Sequence, residues 1–342
     1  MNSFMPAEWE LQDAIQLTWP CDKTDWKDNL VLAEKCFLQI AQLVSKYQKL
    51  IIIHSKSRNP KGSFTNNELA NIKFIEAHYN DTWARDYAPI TIIENGIPTL
   101  KNFTFNGWGN KFDSQLDNQL NEMLFKNGIY KNLINVDFIL EGGAIESNGE
   151  GIILTTKNCL LNSNRNTEVN FNEIEVILKR ELSAKKILWL DHGEIIGDDT
   201  DAHIDTIARF VDSNTILYSK CFNTNNPNFE SLNKMERELE KLTNLENKRF
   251  RLIPIPLPNI IENGMNLPAT YANFLITNKQ VLLPVYNCPE DKDAINVLKR
   301  VFQDKVIEPV YCGEIIKQNG SLHCLTMQLP ANTINLNLFN HE

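Results

Sequence analysis

Several things are scarce or missing in this 342-residue chain, and each absence excludes something. No apolar run approaches the roughly 20 residues that a membrane-crossing helix needs, so no membrane partner is expected. No block of Lys and Arg stands out: 34 basic residues face 43 acidic ones, giving a formal charge of -9 and a pI near 5.3. Phosphate backbones are met by clustered cations, so a nucleic-acid partner is not expected either. The opening MNSFMPAEWELQDAIQ has no positive stretch followed by an apolar one. That predicts no secretory signal and a cytoplasmic location. The seven cysteines (Cys21, Cys36, Cys159, Cys221, Cys288, Cys312 and Cys324) are odd in number and show no CxxC spacing. They read as reduced thiols rather than a disulfide framework or a zinc site.

What is present is a repeating pattern. Helical periodicity appears at about 27–47, 114–127, 171–182, 228–245 and 290–302, with apolar residues recurring on one face. Between these lie short runs such as KLIIIHS, KILWL, FRLIPI and QVLLPVY, which read as strands buried on both faces. Hairpin signals follow in ESNGEG, VDSN and TNK. The last four helix centres are about 60 residues apart and the first gap is longer. Even spacing of this kind predicts similar α/β modules closed around an axis.

Five polar segments fall at one phase of that repeat: NDTWARDYAP (80–89), LEGGAIES (140–147), GDDTDAHIDT (197–206), LPATYANF (267–274) and NGSLHC (319–324). If the modules close, Asp86, Glu141, His203, Asp205 and Cys324 converge from distant parts of the chain. A buried structural Cys or His is the ordinary reading of either residue alone. Two carboxylates facing inward need a cationic partner, because unpaired buried charge is costly. A planar guanidinium offers five N–H donors in a fork that carboxylates meet two bonds at a time. Alternation along a strand is expected to put His203 and Asp205 on one face, with Cys324 at the start of another strand. The Asp and His residues lack the dense spacing of a zinc motif, so no metal is expected.

The segments TWP (18–20), NDTWARD (80–86), FNGWG (105–109), LEGG (140–143), TTKNCLLNSNRN (155–166), DTDAHID (199–205), TYANF (270–274) and GSLHC-TMQ (320–328) together resemble the agmatine deiminases. The likeness runs from about residue 9 to 330. It implies one catalytic domain over 1–342 with the pentein fold, a pseudo-symmetric α/β propeller of five modules. It implies that Cys324 attacks the guanidinium carbon, that His203 serves as acid and base, that Glu141 orients His203, and that Asp86 and Asp205 clamp the guanidinium. For the substrate it implies Trp83 and Trp108 as walls, with Asp199, Asn273 and Gly320 also in contact. The implied partner is agmatine, a small cation. No cofactor is implied, and assembly into a homo-oligomer is left open.

The chain departs from the family in two places. Gln318 to Leu322 reads QNGSL where many members carry a Gly-Gly-Gly-Asn run, and Asp199 and Ala202 stand where most have Glu and Gly. Rival chemistries on the same site are deimination of free or peptidyl arginine and amidine transfer. A non-catalytic pentein binding module is disfavoured by the presence of Cys324, His203, Asp86 and Asp205 together. A papain-like protease is disfavoured because its Cys precedes its His. Asp198, Asp199 and Asp201 are expected to face the far amine of the substrate, while Arg165 cannot be placed relative to the axis.

Overall fold

The computed structural model describes residues 3–339. Five helices have apolar residues at helical spacing. Helix α1 (Leu30–Ser45) buries Ala33, Phe37, Ile40, Ala41 and Val44, one stripe along its length. Helices α2 (Gln115–Lys126), α3 (Phe171–Glu181), α4 (Phe229–Leu239) and α5 (Asp291–Val301) follow the same rule. In α3 a capping box fixes the start: Asn170 accepts from the Glu173 amide and Glu173 from the Asn170 amide. Helix α4 stops at Leu239, short of the 245 expected from its pattern.

Each helix is the crossover of one small sheet. In four sheets a hairpin is followed by a helix and a parallel third strand. These are Ile90–Glu94, Ile97–Thr104 and Leu133–Ile139; Ile145–Ser147, Ile152–Thr156 and Lys186–Leu190; Ala208–Asp212, Thr215–Lys220 and Arg251–Pro256; and Leu275–Ile276, Gln280–Val285 and Val306–Tyr311. The three hairpins expected at ESNGEG, VDSN and TNK all form. In the fifth sheet Gln12–Thr18 pairs parallel with Lys49–His54 and antiparallel with Thr326–Pro330. The two ends of the chain thus share one module, and the five modules close into the expected propeller. An extra strand, Ile72–Glu76, extends this sheet and accounts for the long first gap in the repeat.

From each module the chain crosses a polar segment and enters the antiparallel strand of the next, which opens a hairpin in four modules and is Thr326–Pro330 in the fifth. Four of these segments contain a short helical turn, at Ala84–Tyr87, Gly142–Ala144, Ile204–Thr206 and His323–Leu325. The fifth, Ala269–Phe274, is irregular. Ala84–Tyr87 packs against Gly142–Ala144 and His323–Leu325, and Gly142–Ala144 against Ile204–Thr206. The polar phase of the repeat therefore meets at the axis.

Candidate active site

The meeting point is Gly143. A Cβ placed there would lie 2.6 Å from His203 Nδ1, 2.8 Å from Asp86 Oδ1 and 3.3 Å from Asp205 Cγ. Only glycine lets those three groups close on one another. A Cβ at Gly142 would stand 2.2 Å from the Arg85 carbonyl oxygen, so both glycines of LEGG serve close approach.

Two expectations about local structure are corrected. His203 and Asp205 do not sit on a strand: His203 precedes the Ile204–Thr206 turn and Asp205 lies within it. Their common orientation comes from a tight turn instead of a pleat. Cys324 likewise sits in a turn, immediately before Thr326–Pro330 rather than at the start of a strand.

Asp86 is held by two donors, the Gly143 amide to Oδ1 at 2.9 Å and Trp108 Nε1 to Oδ2 at 2.9 Å. Burial pushes its carboxyl up to about 6, opposed by His203 and reinforced by Asp205. Asp205 Oδ2 accepts from His323 Nδ1 at 2.7 Å and Asn273 Nδ2 at 3.2 Å. Against its burial, His323, His203 and Arg209 hold it below the usual carboxylate range. Its Oδ1 is buried with no hydrogen-bond partner among the described residues. Buried polar atoms seldom stay unpaired, and one facing the axis marks where another polar group belongs.

His203 Nδ1 is 3.6 Å from Asp86 Oδ1. Burial alone would strip its proton, but Asp86, Cys159 and Glu141 outweigh that and hold the imidazolium well above the ordinary histidine range. Cys324 Sγ lies 3.8 Å from Asp205 Oδ2 and 3.3 Å from Asn273 Nδ2. Burial first, then Asp205 and Asp86, push its thiol well above the usual range. Asn273 Oδ1 accepts from the amides of His323 at 2.9 Å and Cys324 at 3.3 Å, which fixes the turn that holds Cys324.

Glu141 makes no hydrogen bond to His203. Arg165 Nε reaches its two oxygens at 2.8 and 3.0 Å, and Arg165 Nη1 reaches Asp201 Oδ2 at 2.7 Å. The arginine that the sequence could not place is thus a clip between two polar segments. Among the described residues, Glu141, Cys159 and His203 form a group with metal-ligand spacing, their ligand atoms within 4.8 Å of one another. Arg165 and the charged imidazole already supply the positive charge there, so this donor set does not fit a cation.

A cleft of about 440 Å³, counted to open solvent, leads to Cys324; Trp83, Asp86, Trp108, Asp199 and Gly320 line it. Trp83 packs on Trp26 with centroids 5.5 Å apart. A Cβ on Gly320 would reach its ring at 2.2 Å. Glu141, His203, Asp205 and Asn273 are buried beside this cleft rather than in its wall. Of the three acids expected at the far end, only Asp199 lines it. Asp198 accepts from the Ala202 amide at 2.7 Å, and Asp201 is taken by Arg165 and Lys111. Asn319 Nδ2 donates to Asp199 Oδ2 at 3.0 Å, while burial raises the Asp199 carboxyl. Two further wall residues, Asp25 and Asp81, escaped the sequence reading. Asp81 stood inside a quoted motif; nothing in the periodicity marks Asp25.

A family described as Porphyromonas-type peptidyl-arginine deiminase matches residues 4–330. A candidate arginine deiminase from Porphyromonas gingivalis is 39% identical, with a TM-score of 0.94, covering 98% of this chain and 100% of that one. An agmatine deiminase of C. jejuni, a cysteine-to-serine variant solved with substrate bound, is 37% identical with a TM-score of 0.91 over 97% of each chain. The agmatine deiminase of Stutzerimonas stutzeri is 28% identical over 353 residues, 96% of this chain and 95% of its own. An amidinotransferase from Microseira wollei, 14% identical with a TM-score of 0.56, shares the fold alone.

Proposed function

The chain belongs to the bacterial agmatine and peptidyl-arginine deiminase family, and from that premise we propose that it hydrolyses agmatine to N-carbamoylputrescine and ammonia. The observation that carries this reading is the convergence of Asp86, Asp205 and His203 around Gly143, with Cys324 beside Asp205 at the end of an acidic cleft. The guanidinium lies between the two aspartates, meeting Asp205 Oδ1 and Asp86.

Its positive charge offsets the two acids that hold the Cys324 thiol protonated, so substrate binding releases the thiol proton to solvent and leaves the thiolate. The thiolate attacks the guanidinium carbon. His203, carried as imidazolium, gives its proton to the departing ammonia as the C–N bond breaks. An S-alkylthiouronium remains on Cys324. The neutral imidazole then takes a proton from water, whose oxygen attacks the same carbon. As the C–S bond breaks and the carbonyl forms, the hydroxyl proton passes to sulfur, and the ureido product leaves with the thiol restored.

Agmatine is preferred over arginine because the wall offers Asp25, Asp81 and Asp199 and, among the described residues, no Lys or Arg. Carboxylates there suit an amine and repel the carboxylate of arginine. The test is to incubate the protein separately with agmatine, arginine and a blocked arginyl peptide, measuring ammonia and ureido product. We expect kcat/KM for agmatine to exceed that for arginine by about 100-fold or more. Comparable values would move the reading to arginine.

A further inference from the structure

The mechanism above leaves His323 unused, although it is buried next to the nucleophile. Both of its ring nitrogens face carboxylates: Nδ1 lies 2.7 Å from Asp205 Oδ2 and Nε2 lies 2.6 Å from Glu8 Oε2. Glu8 stands 315 residues away in sequence, in the segment leading to the first strand. It is not free to move. Its Oε2 also accepts from Arg209 Nη2 at 2.8 Å, and its Oε1 from the Ile276 amide at 2.6 Å. Arg209 is itself fixed, with Nε donating to Glu146 Oε2 at 2.9 Å and Nη1 to the Phe274 carbonyl at 2.8 Å.

Contacts this short between a ring nitrogen and a carboxylate oxygen each need a proton between them, so both are charge-assisted hydrogen bonds. The line Glu8–His323–Asp205 therefore ties one oxygen of Asp205 to a rigid anchor behind the site. Asn273 Nδ2 adds a second donor to that same oxygen. The other oxygen of Asp205 is left as the open acceptor.

We propose that Glu8 and His323 are positioning residues for the reaction. They hold Asp205 from behind, so that its second oxygen is presented to the guanidinium at a fixed place. Misplacement of a clamping group by a fraction of an ångström is costly to rate, which is the reason to anchor it. This inference rests on reading Asp205 as a guanidinium clamp.

Two substitutions at His323 separate positioning from space filling. His323→Asn keeps a donor close to where Nδ1 stands. His323→Leu removes both hydrogen bonds but fills more of the volume. With agmatine, kcat/KM should fall by about 100-fold or more in His323→Leu and stay within about tenfold of wild type in His323→Asn. A residue that only filled space would give the opposite order, and that order overturns the proposal. Glu8→Gln, which keeps the packing and removes the charge, should lose about fivefold or more; a smaller loss also overturns it. If His323→Leu does not fold, as its melting curve would show, Glu8→Gln alone decides. Asp205→Asn assayed alongside distinguishes the two possible failures. Wild-type activity there sinks the clamp reading. An inactive Asp205→Asn beside a fully active His323→Leu sinks only the positioning role.

Discussion

Asp86 receives two hydrogen bonds, from the Gly143 amide and Trp108 Nε1, and still has its carboxyl pushed up to about 6. Desolvation disfavours its charged form more strongly than these donors and His203 favour it. If it must be ionised to hold a guanidinium, protons compete with substrate below that value. The kcat/KM for agmatine should therefore fall about tenfold per pH unit below about pH 6, as read from initial rates at constant ionic strength. A limb lying below pH 5 would show that Asp86 is not the group that titrates. Asp86→Asn should lower kcat/KM by about 100-fold or more, since the cation then loses one anionic partner at a buried pair. At this scale the sequence was informative where residue type is chemically odd for its surroundings. Inward carboxylates, a histidine and a thiol at one phase of a repeat can be noticed without a structure. Asp25 could not be, because an acid near a turn is unremarkable until the chain folds it into a wall.

Short segments, more than long elements, hold the active groups in place. Thr155 Oγ1 donates to the Ala144 carbonyl at 2.7 Å and Thr156 Oγ1 to the Ala202 carbonyl at 2.8 Å. Asn166 brackets Ile139 through both amide and carbonyl, at 2.9 Å each. Arg165 completes the set by joining Glu141 to Asp201. The whole 155–166 segment is thus a splint across the polar segments that carry Glu141 and His203. Its likeness to a family was visible in the sequence, but its purpose was not, because side-chain bonds to distant carbonyls leave no periodic trace. The helices and hairpins were legible for the converse reason: burial on one face imposes a period, and a turn demands Asn or Gly. The His203–Asp205 pair was misread because an i, i+2 spacing reads as strand alternation, whereas His203 enters with extended backbone and Asp205 already lies in the turn. Arg165→Gln leaves Glu141 buried without its cation, and neither side chain is exposed. We expect a stability loss of about 3–5 kcal/mol in urea unfolding. A loss under about 1 kcal/mol would mean that Glu141 finds another partner or a proton.

The ring as a whole closes where Thr326–Pro330 pairs with Gln12–Thr18, so the module that carries Cys324 is built from both halves of the sequence. Convergence of five modules on one axis also concentrates acids where water is scarce. Burial pushes Asp81 and Glu146 up to about 7, Asp117 to about 8 and Asp86 to about 6. Their unfolded values lie near 4, so the folded chain binds more protons than the unfolded one between those limits. Such groups contribute stability that is fully present below about pH 4 and is lost as pH rises through their folded values. His203, held above its usual range by Asp86, Cys159 and Glu141 against its burial, acts in the same sense. Glu8 and Asp205 are held low; they are ionised in both states from pH 5 upward and add no slope there. His323 is pulled down by burial with Arg209 and Arg85 and up by Glu8 and Asp205. Its two short ring contacts to ionised carboxylates keep it charged, so it does not oppose the five. Without ligand, the melting temperature should therefore fall by about 5 °C or more between pH 5.5 and 8.5 at fixed ionic strength. A melting temperature that rises over that interval would mean that these acids are ionised in the folded chain, and that the axis holds its charge by pairing rather than by protonation.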